Sequence, residues 1–277
     1  MTFGMKFTEL LESRWRTADT LLCVGLDPDP VRFPEPLRGV DDSIFKFCSA
    51  IVDATADYVC AFKPQIAYFA SAAAEDALQR LIAYVRTTHP TIPVILDAKR
   101  GDMASTAQHY AREVFERYDA HAVTLSPYLG RDSVEPYLEY AERGVFLLCR
   151  TSNPGGDDLQ MLNVDGERLY ERVARLATTW NSDRQIGLVV GATYPNELAR
   201  VRAIVGDMPL LVPGIGAQGG DVKASVNAGQ TADGIGVVVS SSRAVIYAGQ
   251  TEHFGADARA AAQRARDEIN RYRLAAW

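Results

Sequence analysis

Three charged residues stand close together in the run Val94-Ile95-Leu96-Asp97-Ala98-Lys99-Arg100-Gly101-Asp102. Val94 to Leu96 is apolar and reads as a buried strand, so Asp97, Lys99 and Asp102 fall at its end. Asp97 and Lys99 are two apart, and along extended chain their side chains point the same way. Charges at the mouth of a buried strand are costly unless they pair. An Asp-Lys-Asp set pairs and leaves one net negative charge. Such a set can keep a lysine protonated while pressing a carboxylate against a bound anion. A salt bridge that only caps the strand would use the same spacing, so the rest of the chain must decide.

The surrounding elements follow one rhythm. After an N-terminal helix with Phe7, Leu10, Leu11 and Trp15 at helical spacing, apolar runs predict strands at 21–26, 58–62, 94–96, 122–125, 145–149, 186–190, 210–212 and 234–239. Helical patterns fill the intervals: about 43–56, 69–86, 106–118, 133–143, 167–180, 195–205, 221–228 and 256–273. Strands rich in Val, Ile and Leu without alternation belong to a parallel sheet covered by helices. Eight strand-then-helix units over 277 residues match a single-domain (β/α)8 TIM barrel, residues 1–277, with an extra N-terminal helix. A doubly wound open sheet is the alternative. Active sites of the barrel fold sit at the C-terminal strand ends. The loops that leave those ends carry Asp27, Lys63, Asp97, Lys99, Asp102, Ser126, Ser152, Gln218 and Arg243. The opposite loops carry Asp57, His89, Asp119 and Asp207, which read as ordinary surface residues. This asymmetry favours an active site over a capping salt bridge.

Pro213 to Gly220 contains a GxGxxG match between a strand and a helix. A dinucleotide site would use that pattern, but it lies in the seventh unit and lacks an acidic strand end about twenty residues on. In a barrel the loops after strands seven and eight form the usual phosphate site. The glycines expose backbone N–H groups, the helix start at Asp221 adds a favourable dipole, and Arg243 supplies a bidentate cation. A phosphate monoester is therefore the expected ligand. Lys63 could extend a Lys-Asp-Lys-Asp row or snorkel at the surface. Asp27 could accept sugar hydroxyls or serve as a turn residue before Pro28. Thr106 could be a helix-start hydroxyl or a ligand contact, and Ser152 reads first as a turn former.

Composition excludes other classes. The net charge of -6 argues against nucleic acid as a partner, and 47% apolar residues allow a full core. No apolar run is long enough to cross a membrane, and the first twenty residues lack a signal peptide's apolar centre. Cys23, Cys48, Cys60 and Cys149 show no CxxC spacing and read as buried free thiols of a cytoplasmic protein. His89, His109, His121 and His253 are scattered, so neither a metal site nor an organic cofactor is expected.

Taken together, these residues resemble the orotidine 5'-phosphate decarboxylase family over nearly the whole chain. The carriers are Leu26-Asp27, Phe62-Lys63-Pro64-Gln65, Leu96 to Asp102, Thr151 to Gly155, Pro213 to Gly220 and Ser242-Arg243. The Lys-Arg-Gly-Asp run with Lys-Pro-Gln is similar to the longer bacterial branch typified by mycobacterial enzymes. The resemblance implies decarboxylation of orotidine 5'-monophosphate to UMP in de novo pyrimidine biosynthesis, without a cofactor. It also implies a homodimer with shared active sites. Lys63, Asp97 and Lys99 would come from one subunit, and Asp102 and Thr106 from the other. Lys99 would be the proton donor. Asp27 and Lys63 would touch ribose hydroxyls, Ser152 the pyrimidine, and Gln218 with Arg243 the phosphate. Many members place a phosphate-contacting tyrosine three residues after the arginine. Here that position is Ile246, and Tyr247 is one further on. A sugar-phosphate decarboxylase using a magnesium-held enediolate would want an acid near strand two, where this chain has Lys63 and Gln65. A non-catalytic nucleotide sensor would not need Asp97, Lys99 and Asp102 together.

Overall fold

The computed structural model describes residues 5–215 and 220–274. Eight parallel strands form the barrel: β1 Leu22–Leu26, β2 Ala61–Pro64, β3 Ile95–Arg100, β4 Ala122–Leu125, β5 Gly144–Arg150, β6 Ile186–Val190, β7 Leu210–Pro213 and β8 Val237–Ser241. Each pairs with its sequence neighbour, and β8 returns to β1. The remaining seam, β2 to β3, is held by bridges from Phe62 to Val94 and from Gln65 to Asp97. The strands β1 and β6 are buried at every residue, as expected of a sheet covered on both faces. Branched and aromatic side chains such as Val24, Phe62, Phe146 and Val239 fill the core.

The N-terminal helix, Phe7–Thr17, packs under the N-terminal end of the barrel. Phe7 meets Phe146 edge to face at 5.8 Å and leaves no room for a side chain at Gly144. At its other end Arg14 donates to the carbonyl oxygens of Val59, at 2.9 Å, and Ala56. Phe7, Leu10, Leu11 and Trp15 are all buried, as their spacing predicts.

Several boundaries differ from the sequence expectation, each for a local reason. Residues 56–58 form a 3-10 turn, which moves β2 to Ala61–Pro64 and draws Lys63 into the strand. The helix expected at 69–86 is two helices, Ile66–Ser71 and Glu75–Thr88. Ala73 lies between them at φ 50°, a left-handed turn that alanine composition does not announce. The helix expected at 133–143 shortens to Glu135–Leu138, with Pro136 in its first turn and a separate 3-10 turn at Arg131–Ser133 before it. Helix Ala104–Arg112 continues into a wider π turn, Glu113–Arg117. Left-handed Gly234 and Gly236 delay β8 to Val237, so that Ser240 and Ser241 fall at its mouth end.

Candidate active site

A cavity of about 430 Å³ opens at the C-terminal ends of the strands. Asp27, Lys63, Asp97, Lys99, Ser152 and Arg243 all line it. Six residues expected from strand-end position thus converge on one space.

At its floor, charges from adjacent strands meet. Lys63 Nζ on β2 donates to Asp97 Oδ2 on β3 at 2.8 Å, and Lys99 Nζ donates to Asp97 Oδ1 at 2.6 Å. Lys63 and Asp97 are buried, whereas the Lys99 side chain is 48% exposed toward the cavity mouth. Burial alone would push the Asp97 carboxyl up. The charges of Lys63 and Lys99, with the hydrogen bonds they donate, outweigh it and hold the carboxyl well below its usual range. Burial likewise opposes the charge on Lys63, but Asp97 and then Asp27 overcome it and raise the amine above its ordinary value.

Lys99 reaches Asp97 by a route that strand alternation does not describe. The pairing of β3 with β4 slips between Leu96 and Arg100, and Lys99 sits at φ 47°. A non-glycine residue held in this region costs about 1–3 kcal/mol, which the surrounding bonds must offset. Those bonds come from Thr124 on β4, which sequence reasoning missed. Its Oγ1 accepts the backbone N–H groups of Ala98 and Lys99 at 3.0 and 2.9 Å. The same hydroxyl donates to Asp97 Oδ1 at 2.9 Å. A threonine in a strand is an ordinary β former, and nothing in its type marked this use.

The β1 side of the cavity is shaped by the loop after that strand. Asp27 Oδ2 accepts from the Ser242 hydroxyl, while its Oδ1 is buried with no hydrogen-bond partner among the described residues. The Tyr247 hydroxyl donates to the Asp27 carbonyl at 2.9 Å and accepts the Asp29 N–H at 2.6 Å. Its ring stacks on Phe47, and the Arg32 guanidinium lies 4.1 Å from its centroid. Tyr247 therefore anchors the Asp27 loop.

Ser152 is set by a second support that the sequence reading left out. Arg150, at the end of β5, is only 1% exposed and lies 3.7 Å from the Tyr194 ring centroid. Arg150 pairs with Asp157, and its Nη1 donates to Gln160 Oε1 at 3.3 Å. Gln160 Oε1 in turn accepts the Thr151 N–H at 2.9 Å. Gly191 backs onto Ser152 so closely that any Cβ there would lie 2.8 Å from the Ser152 Cα.

Beside the β7 and β8 ends, Arg243 is exposed at the cavity edge and pairs with no carboxylate among the described residues. The glycine loop begins with Gly214 at φ 99° and closes where the Gly220 N–H donates to the Gly214 carbonyl at 3.2 Å. Asp221 caps the helix that follows, its side chain accepting the Ala224 N–H. Gln218 falls within 216–219, outside the described residues.

Asp102 and Thr106 do not line this cavity within the one chain. Asp102 Oδ1 accepts the Met103 N–H at 2.8 Å, and Thr106 is exposed on helix Ala104–Arg112. Ser126 also stays out of the cavity, its backbone N–H donating to the Arg100 carbonyl. Gln65, which stands after Lys63 where a metal-using relative would want an acid, accepts the Ala67 N–H as a helix cap. Among the described residues no three His, Cys, Asp or Glu side chains are grouped to hold a metal ion.

Residues 20–256 match the family model described as "Orotidine 5'-phosphate decarboxylase / HUMPS family". An orotidine 5'-phosphate decarboxylase of Dechloromonas aromatica (strain RCB) is 65% identical over 97% of this chain and its own whole length. Another, from Azoarcus sp. (strain BH72), is 64% identical with the same coverage. Among solved structures, an OMP decarboxylase from Leishmania donovani superposes with a TM-score of 0.86 at 43% identity, covering 98% of this chain and all of that one.

Proposed function

The chain belongs to the orotidine 5'-phosphate decarboxylase family, and from that premise we propose how its residues divide the work. The enzyme is a carboxy-lyase of pyrimidine biosynthesis that converts orotidine 5'-monophosphate to UMP and CO2. The observation that carries the division of labour is the shared carboxylate: Asp97 lies between Lys63 and Lys99, with Lys99 the more exposed of the two amines.

The bond from C6 of the pyrimidine to its carboxylate breaks, CO2 leaves, and the electron pair remains at C6. Asp97 sits against the departing carboxylate and disfavours the ground state, a contested mode of catalysis. The Lys99 ammonium stabilises the developing negative charge and then gives its proton to C6. It is recharged from solvent. Lys63 keeps Asp97 in place and, with the unpartnered Asp27 Oδ1, offers a donor and an acceptor to ribose hydroxyls. Ser152 meets the pyrimidine, and Arg243 with Gln218 holds the phosphate. Binding energy from that remote phosphate is available for the step at C6. The reaction so described needs no cofactor.

Asp102 and Thr106 are assigned to the site of a second copy in a homodimer. Their exclusion from the cavity of their own chain supports that reading. A cytoplasmic location is proposed from four buried free thiols. Among the described residues no helix is long and apolar enough to cross a membrane.

The test is turnover of orotidine 5'-monophosphate by purified protein in excess EDTA. UMP and CO2 should appear in equal amounts, at a rate the chelator does not change. A rate that vanishes on chelation and returns with a metal ion would overturn the cofactor-free reading. Absence of any turnover would overturn the activity.

A further inference from the structure

Thr124 carries three hydrogen bonds on one hydroxyl, and their directions are forced. An alcohol has one proton and two lone pairs. The N–H groups of Ala98 and Lys99 occupy the lone pairs. The one proton is therefore committed to Asp97 Oδ1, the same oxygen that receives Lys99 Nζ. The side chain is 1% exposed yet lines the cavity. One hydroxyl thus ties together the backbone of Lys99, held at φ 47°, and the carboxylate that receives its amine. The ladder slip between Leu96 and Arg100 lies opposite this residue's strand, and the slip leaves those two N–H groups in need of an acceptor.

We propose that Thr124 is a positioning residue for the proton transfer: it holds the Lys99 turn and the Asp97 carboxylate in one geometry, so that Lys99 Nζ points at C6. Valine at this position would form a strand equally well and fill nearly the same volume. It would leave two part-buried N–H groups without their acceptor and free Asp97 Oδ1 on one side. The ligand-binding groups at Asp27 and Arg243 would be untouched.

This inference rests on Lys99 being the proton donor, and its test separates the two. Thr124→Val, Thr124→Ala and Thr124→Ser are compared with wild type for kcat and KM, UMP affinity, and exchange of the UMP C6 hydrogen in D2O followed by NMR. The exchange reports the Lys99–C6 step without decarboxylation. Thr124→Val and Thr124→Ala should lose roughly 100-fold in kcat, the scale of a small misplacement at a reacting centre. Exchange should slow in parallel, with KM and UMP affinity within about threefold of wild type. Thr124→Ser keeps the hydroxyl and should stay within about fivefold of wild type in every reading.

The proposal is overturned if Thr124→Val retains wild-type kcat, or if Thr124→Ser is as slow as Thr124→Val. It is overturned equally if the loss appears in KM, or if exchange is unaffected. If neither hydroxyl-free variant folds, Thr124 is a folding requirement and the positioning role is withdrawn. Failure of the underlying reading looks different: wild-type enzyme itself would then decarboxylate without exchanging the C6 hydrogen.

Discussion

The two ends of the barrel hold charge in opposite ways. At the N-terminal end, several acids and bases satisfy one another inside the chain. Asp119 accepts from Arg86 at 2.7 Å and Arg143 at 2.6 Å, and Arg143 also donates to the Ala120 carbonyl. Asp57 pairs with Arg259 and His89 with Asp53. These contacts tie loops to helices. At the C-terminal end the set is incomplete. Arg243 has no carboxylate among the described residues, one oxygen of Asp27 is buried without a partner, and Lys99 is held on a strained turn. Charge that is closed within the fold serves stability, and charge left open at a cavity is available for binding and chemistry.

The comparison is broken most severely at Lys99. Lys99→Ala should lower kcat by roughly 10⁴-fold or more, since in the proposed role Lys99 supplies both a proton and a charge at the reacting carbon. The decay of substrate absorbance measures it, and a loss within about tenfold would remove Lys99 from the chemistry.

Two arginines sharpen the contrast. Arg243→Ala should lower kcat/KM by roughly two to four orders of magnitude, from about 3–5 kcal/mol of lost charge-assisted contact, with KM strongly raised. Arg143→Ala at the far end should leave kcat/KM within about twofold while lowering Tm. Equal kinetic losses from the two variants would erase the distinction between the ends.

The smallest effect concerns acid stability. His121 is squeezed between Arg86 and the β3 entry, its Nδ1 meeting the Val94 N–H and its Nε2 the Arg86 guanidinium. Burial first, then Arg86 and Arg143, push its pKa down to about 3. The unfolded chain takes up this proton near the ordinary value of about 6.5 and the folded one does not, so stability falls as pH drops from about 6.5 toward about 3. Asp97 acts lower, because its depressed carboxyl loses stability only as pH falls below the unfolded carboxylate range. Between pH 7 and pH 4.5, His121→Asn should therefore lose less stability than wild type, by about 2–3 kcal/mol in urea melts. Parallel losses in the two proteins would assign the acid limb elsewhere.

Much of the site was legible because charges at the ends of apolar strands have few explanations. Lys63, Asp97, Lys99, Asp27, Ser152 and Arg243 could be placed at one face of a barrel from strand order alone, and they share a cavity. What stayed hidden depends on backbone detail. The bulge that aims Lys99 has no composition signal, and Thr124 looks like any strand threonine. Arg150 reads as the first residue of a polar loop, yet it is buried beneath that loop. Ala73 breaks a helix that alanine should favour, and Tyr247 turns to the Asp27 loop through a hydroxyl whose direction only the fold determines.

The most direct test of an open, incomplete mouth is complementation between two dead variants. Lys99→Ala and Asp102→Ala, each inactive alone, are mixed in equal amounts and allowed to exchange subunits, with exchange checked by tagged pull-down. In the proposed homodimer half the pairs become mixed, and one site in each then receives both intact residues. If Asp102 completes the site of its partner, about a quarter of wild-type activity should return, by the symmetry of a two-fold dimer. If exchange is demonstrated and no activity returns, Asp102 serves its own chain and the shared site is wrong.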